Sequence, residues 1–106
     1  MSQVTTHVLD TAAGTPAHGV PVTLESADGV LANAVTDAGG RVGELGPEHL
    51  PAGTYRLRFD TAAYALTVGT EAFFPEVVVT FAVDGDAHHH VPLLLSPFGY
   101  STYRGS

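Results

Sequence analysis

The sequence predicts an all-β fold, a β-sandwich of about eight short strands in two sheets with one short helix, on three observations. Short runs rich in Val, Thr, Leu and Phe alternate apolar with polar residues, the period of a strand with one buried face. Gly, Pro and Asp clusters punctuate those runs at intervals of about 8 to 12 residues, the spacing of sandwich turns. One stretch alone has helical spacing, and nothing supports a parallel sheet.

Taken in order, Val4 to Leu9 is a short β-branched strand in which His7 points to the face opposite Val8, although so few residues do not say which face is the core. Asp10 to Gly19 reads as a loop, broken by Gly14, Pro16 and Gly19. Val20, Val22 and Leu24 then alternate with Pro21, Thr23 and Glu25, and Pro21, having no N–H to give a ladder, suggests a strand near an edge. Asp28-Gly29 is a hairpin signal, and Leu31 to Thr36 returns as the next strand. Gly39-Gly40 turns into a short strand beginning at Arg41, and Gly46 to Gly53 is a second loop.

The clearest alternation lies in Thr54 to Asp60, with Tyr55, Leu57 and Phe59 on one face and Arg56, Arg58 and Asp60 on the other. Thr61 to Val68 is the expected helix, with Ala62, Ala65 and Leu66 clustered and Gly69 closing it. Glu76 to Val83 is a β-branched strand, from which Asp84-Gly85 is expected to turn the chain into a closing hairpin. His88 to Leu95 and Gly99 to Arg104 supply the last two strands.

Composition narrows the function classes. A chain of 106 residues, 1–106, is expected to form one domain with a modest core. Its 14% charged residues fall below the usual share of about 25%, as expected if part of the surface is covered by other chains. Eleven acids against four arginines and no lysine give a formal net charge of -7, which argues against nucleic acid or an anionic membrane as a partner. An anionic small molecule would need a locally basic pocket, so each arginine matters. There is no cysteine and hence no redox signature. The N-terminus shows no signal-peptide pattern and no peroxisomal address is visible, so a soluble cytoplasmic protein is the expectation.

The stretch from His88 to Ser106 is the densest in chemistry. In a strand His88 and His90 share a face and His89 points away, so two of the three imidazoles can look into one site. For an arbitrary sequence, three adjacent histidines are more often an exposed edge or an adventitious metal patch. A metal site built from His7, His88 and His90 is the minority reading, since three histidines and a water form a recognised zinc arrangement. A lone Arg41 after a Gly-Gly turn is ordinarily a solvated turn residue, and Tyr103 to Ser106 ordinarily a frayed end. Serines accompany the histidines, but no Gly-x-Ser-x-Gly elbow does, which leaves a nucleophilic triad weakly supported.

Three separated motifs weigh against these bland readings. HVPLLLSPFGYST followed by the terminal YRGS, the N-terminal TTHVLD and the central TDAGGR together resemble the 5-hydroxyisourate hydrolases, transthyretin-related enzymes of urate breakdown. The similarity spans essentially the whole chain; His89, where the family more often has Tyr, and Phe98, where Tyr is frequent, are departures. The resemblance implies a transthyretin (prealbumin)-like sandwich and hydrolysis of 5-hydroxyisourate to 2-oxo-4-hydroxy-4-carboxy-5-ureidoimidazoline. It also implies a homotetramer, a dimer of dimers with sites at the subunit interface, and no cofactor.

Carried onto this chain, the resemblance makes His7 and His90 catalytic and Arg41 a substrate anchor and oxyanion stabiliser. Tyr103 contacts substrate, Arg104 helps hold the tail, Gly105 permits close packing, and Ser106 presents its hydroxyl and terminal carboxylate. The chemistry agrees with that assignment: opening a ring amide with water needs a proton acceptor near neutral pKa, an oxyanion donor and fixed substrate contacts. Two alternatives come from other classes. A transthyretin-like carrier would bind a small ligand without catalysis, and it lacks the YRGS end. A structural sandwich module shares only the turn chemistry of the first half.

Overall fold

The computed structural model describes residues 2–105. Among the described residues nine strands form two sheets, with one helix beside them. In chain order the elements are β1 (Val4–Asp10), β2 (Thr15–Pro16), β3 (Pro21–Ser26), β4 (Gly29–Val35), β5 (Arg41–Val42), β6 (Gly53–Phe59), α1 (Thr61–Val68), β7 (Val77–Val83), β8 (His89–Ser96) and β9 (Gly99–Thr102). One sheet runs β2-β1-β8-β9, with β5 also paired to β1; the other runs β4-β3-β6-β7.

Inward-facing positions of both sheets meet in a single apolar core. Val4 and Val8 of β1 and Leu93 of β8 face Val22 and Leu24 of β3, Leu57 and Phe59 of β6, and Val77 of β7, all fully or almost fully buried. Each such side chain contributes about 1.5–3 kcal/mol on leaving water, which decides which face of every strand is inside. On β1 the decision falls on Val4, Thr6 and Val8, so Thr5 and His7 are turned to the outer face.

Several sequence expectations change. Thr15–Pro16, read as loop, pairs with Leu9 and Asp10. The sheet contains a parallel pair, because β1 and β8 run side by side in the same direction from Val4↔His89 to Asp10↔Leu95. No turn joins them, so no local signal announces the pairing. The strand opened by Pro21 is interior rather than near an edge: its pairing with β6 starts only at Val22, and the Pro21 carbonyl accepts the Asp60 N–H at 3.0 Å. Asp84-Gly85 does not close a hairpin, since β7 and β8 belong to different sheets.

The helix occupies the expected residues but packs another face. Thr61, Tyr64 and Ala65 are buried, while Leu66 is exposed. The Asp60 carboxylate accepts the Ala63 N–H at 3.0 Å as an N-terminal cap, and the Tyr64 hydroxyl donates to Asp10 at 2.7 Å, docking α1 on the end of β1. No helix among the described residues is long and apolar enough to cross a membrane.

Candidate active site

The outer face of the β1, β5 and β8 sheet gathers the residues singled out near the two ends and the middle of the chain. His7 and Arg41 are direct partners across the antiparallel β1–β5 pair, a register that sets Cβ atoms about 4.5–5.5 Å apart on one face. On the other side of β1, Thr5 is the register partner of His90. The period of two puts Thr5 and His7 on the same face, so His7, Arg41 and His90 converge. They line one open cavity of about 480 Å³ with Thr5, His88, Tyr103 and Gly105.

The turn that delivers Arg41 is built by Asp37. Its carboxylate accepts the N–H groups of Gly39 at 2.9 Å and Arg41 at 3.0 Å, and these backbone bonds, the one from Arg41 foremost, hold its acid below the usual carboxylate range. Gly40 has φ +75°, and its carbonyl accepts the Val8 N–H at 2.7 Å. A Cβ at Gly40 would stand 2.4 Å from the Val8 carbonyl oxygen, so only glycine lets the turn press against β1. The Gly39 carbonyl accepts from His7 Nε2 at 2.8 Å; a carbonyl cannot donate, so neutral His7 keeps its proton on Nε2.

His90 is half-buried, and its Nδ1 lies 2.8 Å from the Thr5 hydroxyl. Burial first, then the nearby Arg41, His7 and His88, lower its pKa below that of an ordinary histidine. Gly105 pairs with it: the Gly105 N–H donates to the His90 carbonyl at 2.8 Å. A Cβ on Gly105 would come within 2.6 Å of His90 Cδ2, so the tail passes the imidazole at a distance no other residue allows.

The remaining expected residues divide. Tyr103 lines the His7 and Arg41 cavity, whereas Arg104 lines a neighbouring cavity of about 310 Å³ with Val79, Phe81, His89 and Val91. Ser106 lies outside the described residues. His89 is buried on the inner face, as the alternation of the strand requires, and its Nδ1 donates to the Ala87 carbonyl at 2.7 Å. His18 and His49 are exposed, the latter 2.7 Å from Asp86. Arg58 is held by Glu25 and Glu76 on the other sheet.

Among the described residues no group of three or more His, Asp or Glu side chains is arranged to hold a metal ion. The sequence marks Gly40 as a turn residue but gives Thr5 and Asp37 no role of their own. A third cavity of about 380 Å³, under α1 and lined by Asp10, Tyr64, Phe74 and Leu95, contains no histidine or arginine.

A transthyretin-like sandwich with imidazoles and a guanidinium on the outer face of one sheet is the class that fold and site define. The chain belongs to the HIUase/Transthyretin family, which matches residues 4–105. A 5-hydroxyisourate hydrolase of Caulobacter vibrioides is 49% identical to it, with 100% of both chains covered. The structure of Klebsiella pneumoniae 5-hydroxyisourate hydrolase superposes with a TM-score of 0.92 at 44% identity, again covering 100% of both chains. Transthyretin from Sparus aurata superposes with a TM-score of 0.88 at 37% identity, covering 99% of this chain and 97% of that one.

Proposed function

We propose that this protein hydrolyses 5-hydroxyisourate, the product of urate oxidation, to 2-oxo-4-hydroxy-4-carboxy-5-ureidoimidazoline. The observation that carries the reading is the meeting of His7, Arg41 and His90 on adjacent strands around one cavity, in a chain 49% identical over its whole length to a hydrolase of that substrate. Water gives up a proton to the His90 and His7 pair as its oxygen bonds to the ring carbonyl carbon. The pair returns that proton to the ring nitrogen as the C–N bond breaks. Arg41 holds the planar anion and steadies the developing oxyanion with a fork of donors that a lysine would lack. Tyr103 contacts the substrate, Arg104 helps hold the tail, Gly105 permits its close packing, and the role given to Ser106 is to supply its hydroxyl and terminal carboxylate.

The assembly that goes with this reading is a homotetramer, a dimer of dimers, with the site in the cleft between subunits. Its support is that the cavity opens on the outer face of a sheet, where a second copy can cover it, and that the strand edges β7 and β9 are left for pairing between chains. Oxidising urate in situ and following loss of the short-lived intermediate spectroscopically tests the activity. His90→Asn should lower turnover by about 10²-fold to 10⁴-fold with the fold intact, and wild-type turnover in that variant would remove His90 from the mechanism.

A further inference from the structure

The histidines differ in what fixes their protons. His7 and His89 each face a carbonyl oxygen, so one ring nitrogen must carry hydrogen and the tautomer is set. His90 faces a hydroxyl instead. The Thr5 Oγ1 lies 2.8 Å from His90 Nδ1 and 3.0 Å from His88 Nε2, and the two rings lie nearly parallel, 19° apart, with centroids separated by 6.5 Å.

A hydroxyl has one proton, so Thr5 can donate to one ring only and must accept from the other. Two neutral states satisfy all three groups. When Thr5 donates to His88, His90 carries its proton on Nδ1 and its Nε2 is bare, a base. When Thr5 donates to His90, the proton of His90 sits on Nε2, which becomes an acid, and His88 donates to Thr5. The two imidazoles cannot choose their tautomers independently.

We propose that Thr5 and His88 are positioning residues that form a proton relay behind His90, switching it between base and acid within one turnover. The proposal rests on the hydrolase reading and deepens it. In the first half, His90 Nε2 takes a proton from water while the oxygen bonds to the carbonyl carbon. The Nδ1 proton passes to Thr5 Oγ1, whose own proton passes to His88 Nε2. The charge then rests on an imidazolium at His88. In the second half His90 Nε2 protonates the leaving nitrogen as the C–N bond breaks, Nδ1 recovers a proton from Thr5, and Thr5 recovers one from His88. The net transfer is one proton from water to the ring nitrogen, and every residue returns to its starting state.

Solvation favours this division. His90 is half-buried with Arg41 and His7 around it, which disfavours its cation, whereas the His88 side chain is exposed on the subunit surface. Thr5, the register partner of His90 on β1, is the only side chain among the described residues hydrogen-bonded to both rings.

Three single variants, one double variant and a spectrum test the relay. Thr5→Val keeps the shape and removes the hydroxyl; it should lower kcat by about tenfold to a hundredfold with KM within about twofold, while Thr5→Ser, which keeps the hydroxyl, should stay within about threefold of wild type. His88→Ala should fall as Thr5→Val does, and the double variant should fall no further, because both act through the same path. Nitrogen NMR of the His90 ring, which needs no turnover, should show a tautomer population in Thr5→Val different from wild type. Normal kcat in Thr5→Val, equal loss in Thr5→Ser, additive losses in the double variant, or an unchanged His90 tautomer would each overturn the relay. Failure of the wild-type protein to speed ring opening would instead sink the hydrolase reading, with the NMR comparison still deciding whether Thr5 couples the two rings.

Discussion

His90 shows how much of a residue's chemistry is set by its surroundings. Partial burial, reinforced by Arg41, His7 and His88, disfavours the imidazolium, so the neutral base persists at a pH where a free histidine, with a pKa of about 6.5, would already be half protonated. The sign of the pH dependence follows: kcat/KM should hold as pH falls past about 6.5 and decline only below it. Removing a neighbouring cation should move the ring pKa upward, so an NMR titration of His90 in Arg41→Gln should lie above that of the wild type. An acid limb at or above about 6.5 in the wild type would contradict this. The sequence could name His90 but not its partner, because Thr5 stands 85 residues away and only the β1–β8 register joins them.

At the scale of elements, the site depends on a two-residue strand. β5 contributes Arg41 and Val42 alone, and it is pinned to β1 by the turn from Asp37 to Gly40. Because a Cβ at Gly40 would overlap the Val8 carbonyl oxygen and φ is +75°, Gly40→Ala should cost about 2 kcal/mol or more and loosen the His7 and Arg41 pair. Urea unfolding should show that loss, and a variant as stable as wild type would mean that the turn can move away from β1 without penalty. The motif TDAGGR made the turn legible, since Gly-Gly before a strand has a backbone reason. The pairing of β5 with β1 was not legible, for so short a strand has no hydrophobic period to read. The helix gives a similar lesson: its extent was visible from the spacing of Ala62, Ala65 and Leu66 and its end from Gly69, but the buried face follows Tyr64, whose hydroxyl reaches Asp10.

The whole molecule leaves apolar surface uncovered. Phe73 is 67% exposed and Phe98 82% exposed, and with Phe74 and Tyr100 they form a chain of edge-to-face rings at one end of the sandwich, beside the unpaired edge of β9. In a chain with only 14% charged residues, such a cluster is suited to burial between copies. Sedimentation at micromolar concentration should give a particle about four times the 11.0 kDa chain, and Phe98→Asp should shift it toward smaller species. A wild-type monomer under those conditions would contradict the tetramer and remove the subunit cleft from the proposed site.

Local patterning determined the longer strands, the extent of the helix, the Gly-Gly turn and the residue types available for chemistry, because alternation, turn propensity and motif spacing are properties of neighbouring residues. Tertiary structure alone decided that β1 lies parallel to β8, that β5 joins it on its other side, and that Thr5 bridges two histidines from the far end of the chain. Burial of Val4, Val8 and Leu93 against the opposite sheet chose that arrangement. That burial sums contacts between residues far apart in sequence, and no local period records it.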